Sequence, residues 1–174
     1  LGLMYVAGKG VPTDPARGAA LCRQAAEAGD ANAQTDLGDF YRGGKGVGQD
    51  YAMARFWYER AAAQGQRNAA FHLGSMDWSG LGAPIDLESA GRWMEKAYAT
   101  GREDAAFFVG LSNLRRAVPN APSGPVDVDL LAEAKPWFET AMREDPDEER
   151  RAAAAVTLAQ ISGYEAMGRA QTDQ

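Results

Sequence analysis

Small and apolar residues recur along this chain at helical spacing, and the recurrence itself repeats. In residues 31–42, Ala33, Leu37 and Tyr41 fall four apart with Phe40 beside them, which predicts an amphipathic helix. After the polar, glycine-rich stretch 43–50, Ala54, Trp57, Tyr58, Ala61 and Ala62 form a second stripe, closed by Gly65. The flanking segments carry the same pattern. LGLMYVAGKGVPTD (1–14), LGDFYRGGKGVGQD (37–50) and LGSMDWSGLGAPID (73–86) align at a step of 36 residues. Leu1, Leu37 and Leu73 keep that step, as do Gly2, Gly38 and Gly74, and so do Asp14, Asp50 and Asp86. A fixed period of this length is the signature of a repeat array.

Each unit reads as two helices. Asp14, Asp50 and Asp86 are natural N-caps for the second helix, with Pro15 at the favoured first position. Gly29, Gly65 and Gly101 stand where a left-handed residue ends it. One such pair cannot bury its apolar face alone, so neighbours stack. The expected fold is all-α: an α/α solenoid of antiparallel helix pairs forming one repeat domain. Its parts are a partial first repeat (1–30), repeats at 31–66 and 67–102, and a degenerate fourth (103–145). The fourth keeps Val109-Gly110 and, 44 residues after Trp93-Met94, Trp137-Phe138. It therefore carries an eight-residue insertion, within 117–129, whose prolines predict an irregular loop. Residues 146–174 read as a closing helix, capped by Asp145 with Pro146 in its first turn, and a polar tail TDQ.

Spelled out as Leu-Gly-x-x-Tyr-x-x-Gly-x-Gly-Val-x-x-Asp, followed by Ala, Trp-Tyr and Ala-Ala, the pattern resembles the Sel-1-like repeat family, relatives of the tetratricopeptide repeats. The second unit carries it most fully, at Leu37, Gly38, Tyr41, Gly44, Gly46, Val47, Asp50, Ala54, Trp57, Tyr58, Ala61, Ala62 and Gly65. The first unit departs with Gly18, Leu21 and Cys22, the third with Asp77 and Ala83, and resemblance is strong only over residues 1–105. It implies a right-handed superhelix whose first helices line a concave face, and an adaptor that holds other proteins. Some bacterial members are linked to β-lactam compounds. The motif residues are structural, so no catalytic role is carried over.

Composition narrows the partners. The formal net charge of −6 and the absence of a basic stripe argue against nucleic acid. No apolar run approaches the roughly 20 residues of a membrane span. With a single cysteine, Cys22, no intrachain disulfide forms and the compartment stays open; the resemblance leans to a periplasmic or secreted setting. The chain starts at Leu1, inside its first predicted helix, which predicts a fragment with any targeting signal out of view. The oligomeric state is unspecified.

The loop "YRGGKGVGQD" invites a nucleotide-binding reading, which fails on spacing. A Walker loop would need glycine at Asp39 and Ser or Thr at Gly46; a dinucleotide fingerprint would need glycine at Gln49. A helix reversal explains the glycines, and the third copy replaces Lys45 with Leu81. The one histidine, His72, has no metal partner at i+4, where Met76 stands; its counterpart one repeat back is Asp36, which suggests an Asp–His contact. Cys22 aligns with Tyr58 and Met94 and reads as core, and the recurring Trp57, Trp93, Trp137, Tyr58 and Phe138 likewise. No cofactor or metal is expected.

The positions left free by the repeat are the candidate partner-binding residues. On the first helix of each pair they form the rows Asp36, His72, Phe108 and Asp39, Ser75, Leu111, running from acidic through polar to apolar. Phe108 and Leu111 are either a hydrophobic anchor or covered by the insertion. The expected function is a non-enzymatic scaffold binding a peptide or partner domain along this face. The alternatives are a hydrolase of cell-wall or β-lactam-like compounds using His72 and a nearby serine, and a spacer within a longer chain.

Overall fold

The structure, a computed structural model, describes residues 2–121 and 124–172. Leu1, Pro122 and Ser123 of the insertion, and Asp173 and Gln174 of the expected tail lie outside the described residues. The helices are α1 (Gly2–Ala7), α2 (Pro15–Glu27), α3 (Ala31–Gly43), α4 (Tyr51–Ala63), α5 (Arg67–Ser79), α6 (Leu87–Ala99), α7 (Ala105–Ala117), α8 (Val128–Glu144) and α9 (Glu148–Thr172), with no strand among the described residues. The chain divides into two compact units, Leu1–Leu73 and Gly74–Gln174, and α5 contributes to each.

In the first unit the expected caps are all in place. Asp14 accepts from the Arg17 amide at 2.9 Å and Asp50 from that of Met53 at 3.0 Å. Gly29 and Gly65 take φ of +98° and +82° at the helix ends. Gly44 and Gly46 adopt +66° and +73°, so the chain turns from α3 into α4, and Asp50 N–H closes the turn on Tyr41 C=O at 2.9 Å. Gly46 also presses on the Pro15 backbone, leaving no room for a β-carbon. The core joins Ala19, Cys22 and Ala26 of α2 to Ala33, Leu37 and Phe40 of α3 and Trp57 of α4. Phe40 is the buried member of its pair and Tyr41 the half-buried one, reversing the stripe expected from sequence. The Tyr41 hydroxyl accepts from Arg23, and a polar tip of this kind seeks the surface. Gln34, fully buried, ties three helices together: its amide donates to Ala26 C=O and its carbonyl accepts from Gln64.

The second unit packs Ala106 and Ala117 of α7 against Leu131, Ala134, Phe138 and Ala141 of α8 and Ala154 and Ile161 of α9. Three expectations change here. The loop is shorter than 117–129, because α7 runs to Ala117 and α8 starts at Val128, capped by Asp127. The closing helix is capped by Asp147, which accepts from the Arg150 amide at 3.0 Å. Asp145 is instead buried, chelated by Arg150 at 2.9 Å and bonded to the Asp147 amide; a carboxylate in that setting is held by its charge partner. Trp93 and Trp137 are half-buried, Trp137 standing edge-on to Tyr98 at 5.5 Å. The end of α9 holds the insertion: Gln171 accepts from the Val126 amide and donates to Gly124 C=O, each at 3.2 Å, and Gly168 makes room for Val126 and Val128.

One contact recurs in both units. A β-carbon at Gly38 would stand 2.5 Å from the Tyr58 ring, at Gly74 2.9 Å from Met94, and at Gly110 3.0 Å from Phe138; one at Gly2 would collide with Cys22. A helical glycine normally loses about 0.5–1 kcal/mol against alanine. Gly38→Ala should reverse that sign and destabilise by about 1–3 kcal/mol, because overpacking displaces Tyr58. Gly163→Ala on α9, where nothing stands within 4 Å, should stabilise by about 0.5–1 kcal/mol. Urea unfolding of the two variants measures both signs.

Candidate functional site

The first unit contains a hollow of about 450 Å³ between α1, α3, the glycine loop and α5. Leu3, Val6 and Phe40 give it apolar walls, and Asp36, Asp39, Arg42, Lys45 and His72 line it with charge or polarity. Three of the residues expected from sequence, Asp36, Asp39 and His72, are therefore brought together. They share the face because 36 and 39 lie one turn apart on α3.

Asp39 is the hub. Its Oδ1 accepts from the Tyr58 hydroxyl at 2.8 Å and from Arg42 Nη2 at 3.0 Å. Arg42 Nε also donates to the Tyr58 oxygen at 3.1 Å. His72 Nε2 lies 3.7 Å from the same Asp39 oxygen, and its ring packs on Tyr58 with centroids 5.0 Å apart. The histidine thus meets Asp39, not Asp36, because Tyr58 rises between the helices and steers the ring toward its own partner. Burial, and then the Asp39 carboxylate it faces, push the Tyr58 hydroxyl far above the ordinary phenol range. It stays protonated and donates.

Asp36 differs. It is half-buried, and its carboxylate has no hydrogen bond or ion pair among the described residues. Burial raises its pKa above the usual carboxylate value, with Asp39 and then Asp30 adding to the rise. It also borders a second hollow of about 310 Å³, walled by α1, α2 and α3. Lys45, exposed on the larger hollow, likewise has no carboxylate partner among the described residues.

The second unit places the remaining candidates. Ser75 is half-buried on α5. Phe108 is half-buried and edge-on to Phe107 at 5.7 Å. Leu111 packs on the core shared by α7, α8 and α9, as do Val118 and Val126 of the insertion. Sequence reasoning missed Arg42, Lys45 and the Tyr58 hydroxyl. A signal existed: among Cys22, Tyr58 and Met94, only the second copy offers a hydroxyl, and the same copy has Asp39 and Arg42 one turn apart.

The helix pairs define a helical repeat protein. The Sel1 repeat model matches residues 1–30, 31–66 and 67–101, more than half of the chain, which therefore belongs to the Sel1 repeat family. A Sel1 repeat protein from Oxalobacter formigenes has a similar fold, at 24% identity and TM-score 0.59 over 80% of this chain and 67% of that one. The chain is also similar to c5321, a protective antigen present in uropathogenic Escherichia coli strains displaying an SLR fold. There the identity is 27% and the TM-score 0.64, over 92% of this chain and 37% of that one. The chain thus spans little more than a third of c5321. A search of curated protein sequences gives no match. Sel1 repeats commonly mediate protein interactions and typically form non-catalytic scaffolds. None of the described helices is long and apolar enough to cross a membrane.

The raised pKa of Asp36 has a sign for stability. The folded state holds this proton more tightly than the unfolded chain does, so the ionised form opposes folding, and stability falls as pH rises through the carboxylate range. Asp36→Asn should melt higher than the parent near neutral pH, and the difference should shrink in acid as Asp36 takes up its proton. Melting curves across that range would show a constant difference if Asp36 were not the cause.

Proposed function

We propose that the chain is a non-enzymatic protein-interaction module that receives a peptide or partner domain on the exposed faces of the first helices of its pairs. The observation that carries the reading is the hollow of the first unit, where apolar walls meet charged side chains on the face bearing Asp36, Asp39 and His72. Pockets of mixed character, with an apolar floor and a few polar groups at the edge, suit the recognition of side chains. The second unit offers Ser75, Phe108 and Leu111 on α5 and α7, with Leu111 partly committed to packing. Asp39, tied to Tyr58 and Arg42, acts chiefly to shape the rim. The family supports the same reading, since its repeats commonly mediate protein interactions.

A photo-cross-linking residue at Leu3, exposed on the hollow, should capture a partner in the native host. The same residue at Glu59, exposed on the second helix of its pair, should not. Capture from position 59 and none from position 3 would move recognition to the opposite helices.

A further inference from the structure

We infer that a partner protein docks a lysine or arginine side chain beside Asp36, with its aliphatic stem on the apolar walls of the first unit's hollows. This rests on the interaction-module reading above and names the chemistry that the partner presents there. Leu3 and Asp36 line both hollows of the unit, so an exposed leucine and a carboxylate border the same space. Val6 and Phe40 continue the apolar wall in the larger hollow, Leu21 and Ala25 in the smaller. Three acids belong to this stretch, and two are committed. Asp30 caps α3 by accepting from the Ala33 amide at 2.7 Å, and Asp39 accepts from the Tyr58 hydroxyl and Arg42. The Asp36 carboxylate has no hydrogen bond or ion pair among the described residues.

Charge complementarity selects the occupant. Among the described residues, the charged groups lining the smaller hollow are Asp30 and Asp36, both acids. In the larger hollow Arg42 is engaged by Asp39 and the Tyr58 oxygen, and Lys45 is exposed, where solvent and salt screen its charge. An apolar occupant would strip the remaining water from an unpaired carboxylate. An acidic one would meet charges of its own sign. A basic one relieves both, and burial, Asp39 and Asp30, which hold the Asp36 carboxyl above its usual range, are then offset by a cation. Lysine and arginine also suit the walls, since their stems pack on apolar surface while the charged head reaches a polar group. The shared packing of the copies does not demand this acid, for its counterparts are His72 and Phe108.

The test is an NMR titration of the intact, isotope-labelled chain with capped tripeptides, acetyl-Gly-X-Gly-amide, in which X is lysine, arginine, norleucine or glutamate. The lysine and arginine probes should shift the amides of Leu3, Val6 and residues 33–40, and the effect should weaken with salt. Norleucine keeps an aliphatic stem without the charge. It and glutamate should bind about tenfold more weakly, the scale of one charge-assisted hydrogen bond. Asp36→Asn, the variant expected above to melt higher, should lose the preference for lysine over norleucine, and circular dichroism checks that it keeps its helices. Norleucine or glutamate binding as tightly as lysine overturns the inference. So does an Asp36→Asn variant that keeps the preference, or a titration in which no probe moves these amides. Cross-linking from position 3 that persists alongside such a failure would leave the interaction-module reading standing.

Discussion

The structure depends on the close approach of paired helices at a glycine. Gly2, Gly38, Gly74 and Gly110 receive, on the surface of the first helix, the side chains of Cys22, Tyr58, Met94 and Phe138 from the second. At Gly2 and Gly38 the incoming group sits inside the space a β-carbon would occupy, and at Gly74 and Gly110 it sits at the edge of that space. This explains why a glycine stands at this place in every copy, after leucine in three and valine in the fourth, while the incoming partner varies from cysteine to tyrosine. In the fourth copy the partner lies eight residues later, matching the inserted loop, so the contact is kept and the intervening chain absorbs the change. A loop is tolerant of length, whereas a packed contact between helices is not.

That packing also creates the chemistry of the hollow. Cysteine, methionine and phenylalanine end inside the core, but tyrosine is long enough to pass the glycine and carry its hydroxyl to the rim. There it meets Asp39 and Arg42, and His72 packs on its ring. The same side chain therefore serves both the core and the site. The glycine loop contributes by a different route. Lys45 stands between Gly44 and Gly46, both left-handed, and Gly46 is pressed on Pro15. The backbone on each side of the lysine is thereby fixed, and its side chain is presented at the hollow.

Much of the fold was legible in the sequence because its determinants are local. The caps at Asp14, Asp50 and Asp86 and the left-handed Gly29, Gly65 and Gly101 each follow from one residue and its neighbours. Errors fell where tertiary contacts choose between local options. Asp145 and Asp147 can both cap a helix; Arg150 draws the first into the core and leaves the role to the second. Phe40 and Tyr41 both adjoin the apolar stripe; a buried phenol would need a partner, so the tyrosine takes the edge. In the site, the period located Asp36, Asp39 and His72, yet it concealed Lys45, since one copy lacks it and a feature absent from one repeat reads as expendable.

The same reasoning separates what is shared by the copies from what is particular to one. A residue found in every copy answers to the packing common to all, and Gly38 is of that kind. Asp36 is not: its counterparts are His72 and Phe108, and packing alone would favour an uncharged side chain at a half-buried position. Burial and neighbouring acids both work against its charge. The ionised carboxylate at position 36 therefore opposes folding and does not serve the packing that the copies share. The copies thus differ in chemistry where they depart from the repeat, with Asp36, Asp39 and His72 lining the hollow of the first unit and Leu111 packing on the core of the second.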